Sequence, residues 1–214
     1  MGIYLVYHDS DRFDLYADPS DFETAAEKRF DLKVLSLLCF CVIVFLTGCY
    51  GIPVPPNFHR VSEDLYRSGQ PDEDEFESLY TFNGIRSVLN LRAGNRDKKA
   101  IASINRKWKN AFVLYEIPLD TGNITEKELL EILTVIRDAP KPLLVHCWQG
   151  SNRTGCVVAA YRIVFENWSV EKAVSELTKP EYGYFKLLYP YIPELLRKIN
   201  WDKIKSDLNL PPRK

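Results

Sequence analysis

Short apolar runs at 85–91 ("IRSVLNL"), 111–119 ("AFVLYEIPL") and 142–147 ("PLLVHC") read as strands. Between and around them the apolar spacing changes to the helical one. "PDEDEFESLYTF" sets Asp72 as a helix cap with Glu75 three residues on. "TEKELLEILTVIRDAP" opens on a Thr125/Glu128 capping box and stops before Pro140. "TGCVVAAYRIVFENW" predicts a buried helix, "SVEKAVSEL" a further helix capped by Ser169, and "YPYIPELLRKI" an amphipathic closing segment. Strands separated by helices predict a single α/β domain with a central, mostly parallel, twisted sheet flanked by helices. Ligands of such sheets bind at the carboxyl ends of the strands. Cys147 stands at one of those ends, directly before a helix.

The front of the chain follows another pattern. Residues from Val34 to Thr47 are almost unbroken hydrocarbon, about one signal-peptide core in length and short of the roughly 20 apolar residues that span a bilayer. Lys28, Arg29 and Lys33 precede the run, and Leu46-Thr47-Gly48-Cys49 ends it. A small pair before a cysteine at that place resembles the lipobox of bacterial lipoproteins, which implies lipidation of Cys49 and cleavage before it. An uncleaved signal anchor with a cytoplasmic N-terminus suits the flanking cations as well, and a buried core helix is the third reading. The acidic residues 1–30 make an odd leader; starting at Leu32 gives a basic start, the apolar run and the lipobox in order, so the expected start is near Leu32. The expected organisation is an N-terminal extension with signal or anchor over 1–48 and a Pro-rich tether over 49–60. The domain then occupies 61–200, and a polar tail 201–214. A membrane-anchored lipoprotein facing away from a bacterial cytoplasm is the matching location.

Charge and cysteine content narrow the chemistry. The 214 residues carry a net charge of −1; residues 1–48 hold four basic and eight acidic side chains, net −4, against 24 and 21 in the remainder, net +3. No Lys/Arg tract is interleaved with aromatics, so no nucleic-acid surface is expected. Cys39, Cys41 and Cys49 lie in or beside the apolar run, which leaves Cys147 and Cys156 for the folded part. Their spacing fits no zinc pattern, and no metal or cofactor is expected.

The segment "VHCWQGSNRTG" (145–155) carries the candidate chemistry. A strand–loop–helix turn points successive backbone amides into one concavity, and the helix N-terminus adds partial positive charge. Gly150 permits the sharp turn. Arg153 supplies a planar fork for two phosphate oxygens. The same field favours a thiolate, so Cys147 becomes a nucleophile beside an anion cradle. A buried, inert cysteine at a strand end is the bland alternative.

His146-Cys147, five residues, then Arg153-Thr154 resembles the signature of the cysteine-dependent protein tyrosine phosphatases, and "HCWQGSNRTG" is most similar to their compact bacterial dual-specificity branch. "LYRSGQP" (65–71) and "VLNLR" (88–92) resemble segments of the same branch, and the resemblance runs over roughly 57–200. It implies that Cys147 attacks phosphorus and forms a phosphocysteine. Arg153 and the loop at Trp148, Gln149, Gly150, Ser151 and Asn152 would hold the phosphate oxygens. Thr154 would donate to the departing sulfur, and His146 would orient the loop. A general acid is also implied, and Asp120 in "IPLDTGN" lies past a strand end on the same sheet edge. A turn aspartate capping the next helix is its other reading, and Asp97 is the fallback acid. The usual Trp-Pro-Asp triplet is absent; Pro118-Leu119-Asp120 stands in its place. Arg67 and Arg92 either border the pocket or form surface ion pairs, and Cys156 either resolves an oxidised Cys147 or is a core residue.

The expected function is hydrolysis of phosphate monoesters on phosphotyrosine or phosphoserine/threonine proteins. A phosphoinositide or other lipid or small-molecule phosphate is the alternative substrate. A phosphate-binding module without turnover, rhodanese-like sulfur transfer and arsenate reduction are the competing classes.

Overall fold

The computed structural model describes residues 3–8, 12–17, 51–94 and 96–210, the first two stretches as backbone alone. The chain forms two units, Met1–Gly51 and Ile52–Lys214. In the first, β1 (Ile3–His8) and β2 (Arg12–Ala17) pair antiparallel, from Ile3 opposite Ala17 to His8 opposite Arg12. The run "IYLVYH" keeps its apolar residues together, so no period-2 signal marks this hairpin in the sequence. The apolar run 34–47 and Cys49 lie outside the described residues. Among the described residues no helix is long and apolar enough to cross a membrane.

The second unit is built on β3 (His59–Arg60), β4 (Leu65–Ser68), β5 (Ser87–Asn90), β6 (Val113–Glu116) and β7 (Leu143–His146). Their order across the sheet is β3-β4-β7-β5-β6, parallel except for the β3–β4 edge pair. Every residue of β5 and β7 is buried, the polar Ser87, Asn90 and His146 included, as suits central parallel strands. Alternation within them then sorts the two faces. Val88 and Leu144 point to one layer with α1 (Glu73–Asn83) and α2 (Arg96–Trp108), where Phe76, Leu79, Ile101 and Ile104 pack. Leu89, Leu143 and Val145 point to the other, against α3 (Glu126–Asp138), α4 (Asn152–Phe165), α5 (Val170–Leu177) and α6 (Tyr191–Lys198). Each fully buried Leu or Ile in these layers contributes about 1.5–3 kcal/mol.

The helix caps are those that the sequence predicts. Asp72 with Glu75, and Thr125 with Glu128, form reciprocal capping boxes, and the Ser169 side chain caps α5. Helix α2 is amphipathic on few apolar residues among many charged ones and goes unassigned in the sequence; Asp97, Ile101 and Ile104 are buried in it.

Two expected boundaries move. The tail expected over 201–214 begins with α7 (Trp201–Asp207), and Trp201, Ile204 and Leu208 enter the core. Three apolar residues at helical spacing outweigh the charged residues between them. The tether expected over 49–60 is docked from Pro55 onward. Pro55 is buried, the Pro56 carbonyl accepts the Gly69 amide at 2.6 Å, and Phe58 stacks on Tyr66.

The register aligns Ser68, His146, Asn90 and Glu116 in one row at the carboxyl edge. Whatever follows that row converges on one place.

Candidate active site

Strand β7 delivers His146, wholly buried, and Cys147, 3% exposed, to that edge. The chain then turns through 148–151 into α4. Gly150 makes the turn with φ +74°, and a Cβ on it would lie 2.5 Å from the Ser68 carbonyl carbon and 2.6 Å from the Gly69 nitrogen. No other residue fits there.

Three carbonyls of the turn are held from outside. Trp148 O accepts the Gln70 amide at 2.9 Å, Gln149 O the Asn57 side chain at 3.2 Å, and Gly150 O the Arg67 guanidinium at 2.7 Å. In a planar trans peptide the amide of the following residue points the opposite way. The N–H groups of Gln149, Gly150 and Ser151 therefore face inward. Among the described residues, none of the amides from Trp148 to Arg153 donates to a protein acceptor, and the N-terminus of α4 has no side-chain cap. This is an anion cradle with the helix dipole behind it.

Arg67 is 1% exposed, buried beneath the loop, with its guanidinium 4.2 Å from the centre of the Tyr182 ring. Burial lowers its pKa, and Tyr182, Glu176 and Cys147 partly offset this. It is a structural cation that clamps the turn. Arg153 donates through Nη1 to Leu91 O at 3.3 Å, which draws its head group over the end of β5. Thr154 is wholly buried and its hydroxyl has no partner among the described residues. The Asn152 side chain accepts the Phe185 amide at 3.1 Å, tying the loop to the segment after α5.

Behind the cysteine lies a buried polar chain. His146 Nε2 is 2.9 Å from Asp97 Oδ2, Gln70 Nε2 donates to Asp97 Oδ1 at 2.6 Å, and Arg92 Nη1 donates to Gln70 Oε1 at 2.5 Å. Burial by itself raises the Asp97 pKa, but the hydrogen bond and charge of His146, the Gln70 amide and Arg92 outweigh it and hold the carboxyl below its ordinary value. Asp97 is thus the partner of His146 and is removed from the role of fallback acid. Neither Arg67 nor Arg92 forms a surface ion pair with a described residue. Arg92 lies 4.4 Å over the ring of Trp148, which is half-exposed at the mouth, with Arg96 5.9 Å away. A pocket of 710 Å³ opens beside this ring, lined by Gln70, Asp72, Arg96, Lys99, Trp148 and Gln149.

Asp120 is exposed on the loop after β6. Its carboxylate accepts the Gly122 amide at 2.9 Å, and α3 is capped by Thr125, so the helix-capping alternative does not hold. The neighbouring Leu119 amide donates to Leu91 O at 3.1 Å, the same carbonyl that holds Arg153. Tyr191 steadies the loop by donating to Thr121 O and accepting the Ile124 amide at 3.2 Å. Cys156 is a core residue with no exposure, and burial pushes its thiol up to about 12. Gln70, Arg67 and Asn57 act on the loop from far along the chain. The turn-like "RSGQP" gave no signal of those contacts beyond its family resemblance. Among the described residues no three His, Cys, Asp or Glu side chains group as metal ligands.

The model of the tyrosine phosphatase family matches residues 52–186. The chain is 33% identical over 130 residues to inositol diphosphatase DSP5 of Arabidopsis thaliana, covering 58% of this chain and 62% of that protein. It is 28% identical over 131 residues to the dual specificity protein phosphatase TpbA of Pseudomonas aeruginosa, covering 59% and 56%. It thus spans about three-fifths of the length of these curated relatives. The fold matches the core catalytic domain of the PP-IP phosphatase SIW14 of Saccharomyces cerevisiae with a TM-score of 0.63 and 25% identity, over 77% of this chain and all of that one. It also matches TpbA in complex with pTyr with a TM-score of 0.62 and 22% identity, over 72% and 90%.

Proposed function

The chain belongs to the tyrosine phosphatase family, and on that premise we propose that it hydrolyses phosphate monoesters through a phosphocysteine formed on Cys147. The observation that carries this reading is the ring of unsatisfied amides from Trp148 to Arg153 around a cysteine at the end of a buried strand. Such a cradle stabilises a thiolate first and the equatorial phosphate oxygens afterwards. Cys147 Sγ attacks phosphorus, an S–P bond forms, and the P–O bond to the leaving group breaks. Asp120 delivers its proton to the departing oxygen. A water then attacks phosphorus, Asp120 takes up its proton, and the S–P bond breaks to release phosphate and thiolate. The Thr154 hydroxyl, buried without a partner among the described residues, is the donor available to the leaving sulfur.

Phosphotyrosine and phosphoserine/threonine proteins are the first substrate class, in the manner of the compact bacterial dual-specificity enzymes. A second reading rests on the crowd of Arg92, Arg96 and Arg153 at the mouth, which suits a polyanion. The chain's resemblance to proteins named inositol diphosphatases supports it. Lipidation at Cys49 after cleavage of 1–48 would hold this pocket close to a membrane. Mass spectrometry of membrane-extracted protein tests that anchor: a peptide running intact through an unmodified Cys49 overturns it.

Assay of the full chain on an aryl phosphate, phosphopeptides and inositol phosphates tests the activity. Turnover should be blocked by vanadate and lost in Cys147→Ser while that variant still binds phosphate. A Cys147→Ser enzyme as active as the parent sinks the phosphocysteine route.

A further inference from the structure

We infer that Gln70 is a positioning residue: its side-chain amide aims Arg92 into the phosphate pocket and links that cation to the buried Asp97–His146 pair. The inference rests on the phosphate-hydrolysing reading above and adds a residue to it.

The orientation of the Gln70 amide is fixed by its partners. Arginine only donates, so the atom 2.5 Å from Arg92 Nη1 is the oxygen. The Asp97 carboxylate accepts, so the atom 2.6 Å from Oδ1 is the nitrogen, whose second proton goes to Pro71 O at 3.1 Å. The backbone of the same residue donates to Trp148 O at 2.9 Å, inside the catalytic turn. Gln70 is therefore held at four points, two of them on the pocket and one on the pair behind it.

Arg92 needs such an anchor. Its backbone amide donates to Asn90 Oδ1 at 2.8 Å, and its neighbour Leu91 supplies the carbonyl that holds Arg153, so the Arg153 guanidinium, reaching from α4, comes to the end of β5 next to the residue that bears the Arg92 side chain. Burial, Arg96 and Arg153 all push the Arg92 pKa down, and Asp97 and Cys147 offset them only in part. With no carboxylate of its own, a cation so placed would swing away to water. The Gln70 oxygen and the Trp148 face keep it at the mouth, where an incoming phosphate supplies the missing negative charge. Asparagine is one methylene too short to reach both Arg92 and Asp97. A glutamate would keep the oxygen for Arg92 while setting a second carboxylate against Asp97.

A double-mutant cycle in the full chain tests this. Gln70→Met should raise KM for an aryl phosphate and weaken vanadate inhibition by about tenfold, the worth of a hydrogen bond to a charged group, with kcat nearly unchanged. In an Arg92→Ala background the same substitution should change neither. Gln70→Glu should hold a lower KM than Gln70→Met. A residue serving packing alone gives the reverse order, because the added carboxylate is the more disruptive change beside Asp97. If Gln70→Met does not fold, Gln70→Asn reads the same cycle. Calorimetric titration with vanadate reads it without turnover, so a parent enzyme lacking hydrolytic activity counts against the proposed function and leaves the cycle decisive. Equal effects of the Gln70 substitution with and without Arg92, or a Gln70→Met enzyme with parental KM, overturn the inference.

Discussion

His146 and Asp97 face each other across 2.9 Å with both side chains wholly buried. The pair joins the residue before the candidate nucleophile to the first turn of a helix fifty positions earlier, and His146 Nδ1 lies 3.3 Å from the Cys147 carbonyl oxygen. A buried imidazole held by the Asp97 carboxylate on one side and lying against the Cys147 carbonyl on the other has no room to tilt, and it fixes the peptide that carries Cys147.

Removing one partner of a buried pair leaves the other without compensation. Asp97→Asn should cost about 3–5 kcal/mol of folding stability at neutral pH. The carboxyl pKa is lower folded than unfolded. Its contribution is therefore complete above the unfolded value of about 3.9 and disappears as pH falls through the lower folded value. Denaturation midpoints measured from pH 5 down to pH 2 should drop more steeply for the parent than for Asp97→Asn. Parallel acid slopes would refute the assignment.

Two glycines of the loop region should respond unequally to alanine. At Gly150 the new Cβ meets the backbone of Ser68 and Gly69 at 2.5–2.7 Å and φ is +74°, so nothing can yield. At Gly155 the nearest atom, also at 2.5 Å, is Leu177 Cδ1, the end of a side chain that can rotate. Gly150→Ala should abolish vanadate binding and destabilise by more than the ~1–3 kcal/mol of backbone strain. Gly155→Ala should keep vanadate binding, at a cost of about 1–3 kcal/mol for overpacking. Retained vanadate affinity in Gly150→Ala would show that the turn tolerates another path.

The parts legible in the sequence are those fixed locally. Capping boxes at Asp72 and Thr125 and the short, mainly apolar strand runs 85–91 and 142–147 each depend on neighbours a few residues away. The turn from Cys147 to Thr154 is legible for the same reason, since strand, glycine and helix start are contiguous. The contacts that hold it are not. Arg67, Gln70 and Asn57 reach the loop from about eighty to ninety positions away, through a register that no local pattern encodes. Asp97 reads from the sequence as a fallback acid, and only the packing of α2 beneath His146 makes it that residue's partner. Helix α7 hides its apolar face because only Trp201, Ile204 and Leu208 mark it among charged neighbours.

The two thiols of the described region should differ in reactivity. Cys156 has no exposure and a pKa of about 12, whereas Cys147 opens onto the amide cradle. Iodoacetamide at neutral pH, followed by peptide mapping of the native protein, should label Cys147 and spare Cys156. Vanadate should protect Cys147. Equal labelling of both would mean that the cradle gives Cys147 no reactive advantage over a core thiol.

Asp120 stands one residue beyond Leu119, whose amide shares the Leu91 carbonyl with Arg153, so one acceptor registers the acid loop against the phosphate fork. A proton donor matters in proportion to the basicity of the oxygen it protonates. Asp120→Asn should therefore slow hydrolysis of an alkyl or phenyl phosphate by about 10²–10⁴, and slow a nitrophenyl-type ester much less. The binding of vanadate should stay at the parental level, because the carboxylate holds its own Gly122 turn and no loop amide. A plot of log kcat/KM against leaving-group pKa should be steep for Asp120→Asn and shallow for the parent. If the two slopes coincide, the proton comes from elsewhere. Tyr191→Phe offers a milder version of the same test, since it frees Thr121 O and the Ile124 amide while leaving Asp120 itself intact. It should reduce kcat for the basic leaving groups by a smaller factor and leave the nitrophenyl-type ester almost unaffected.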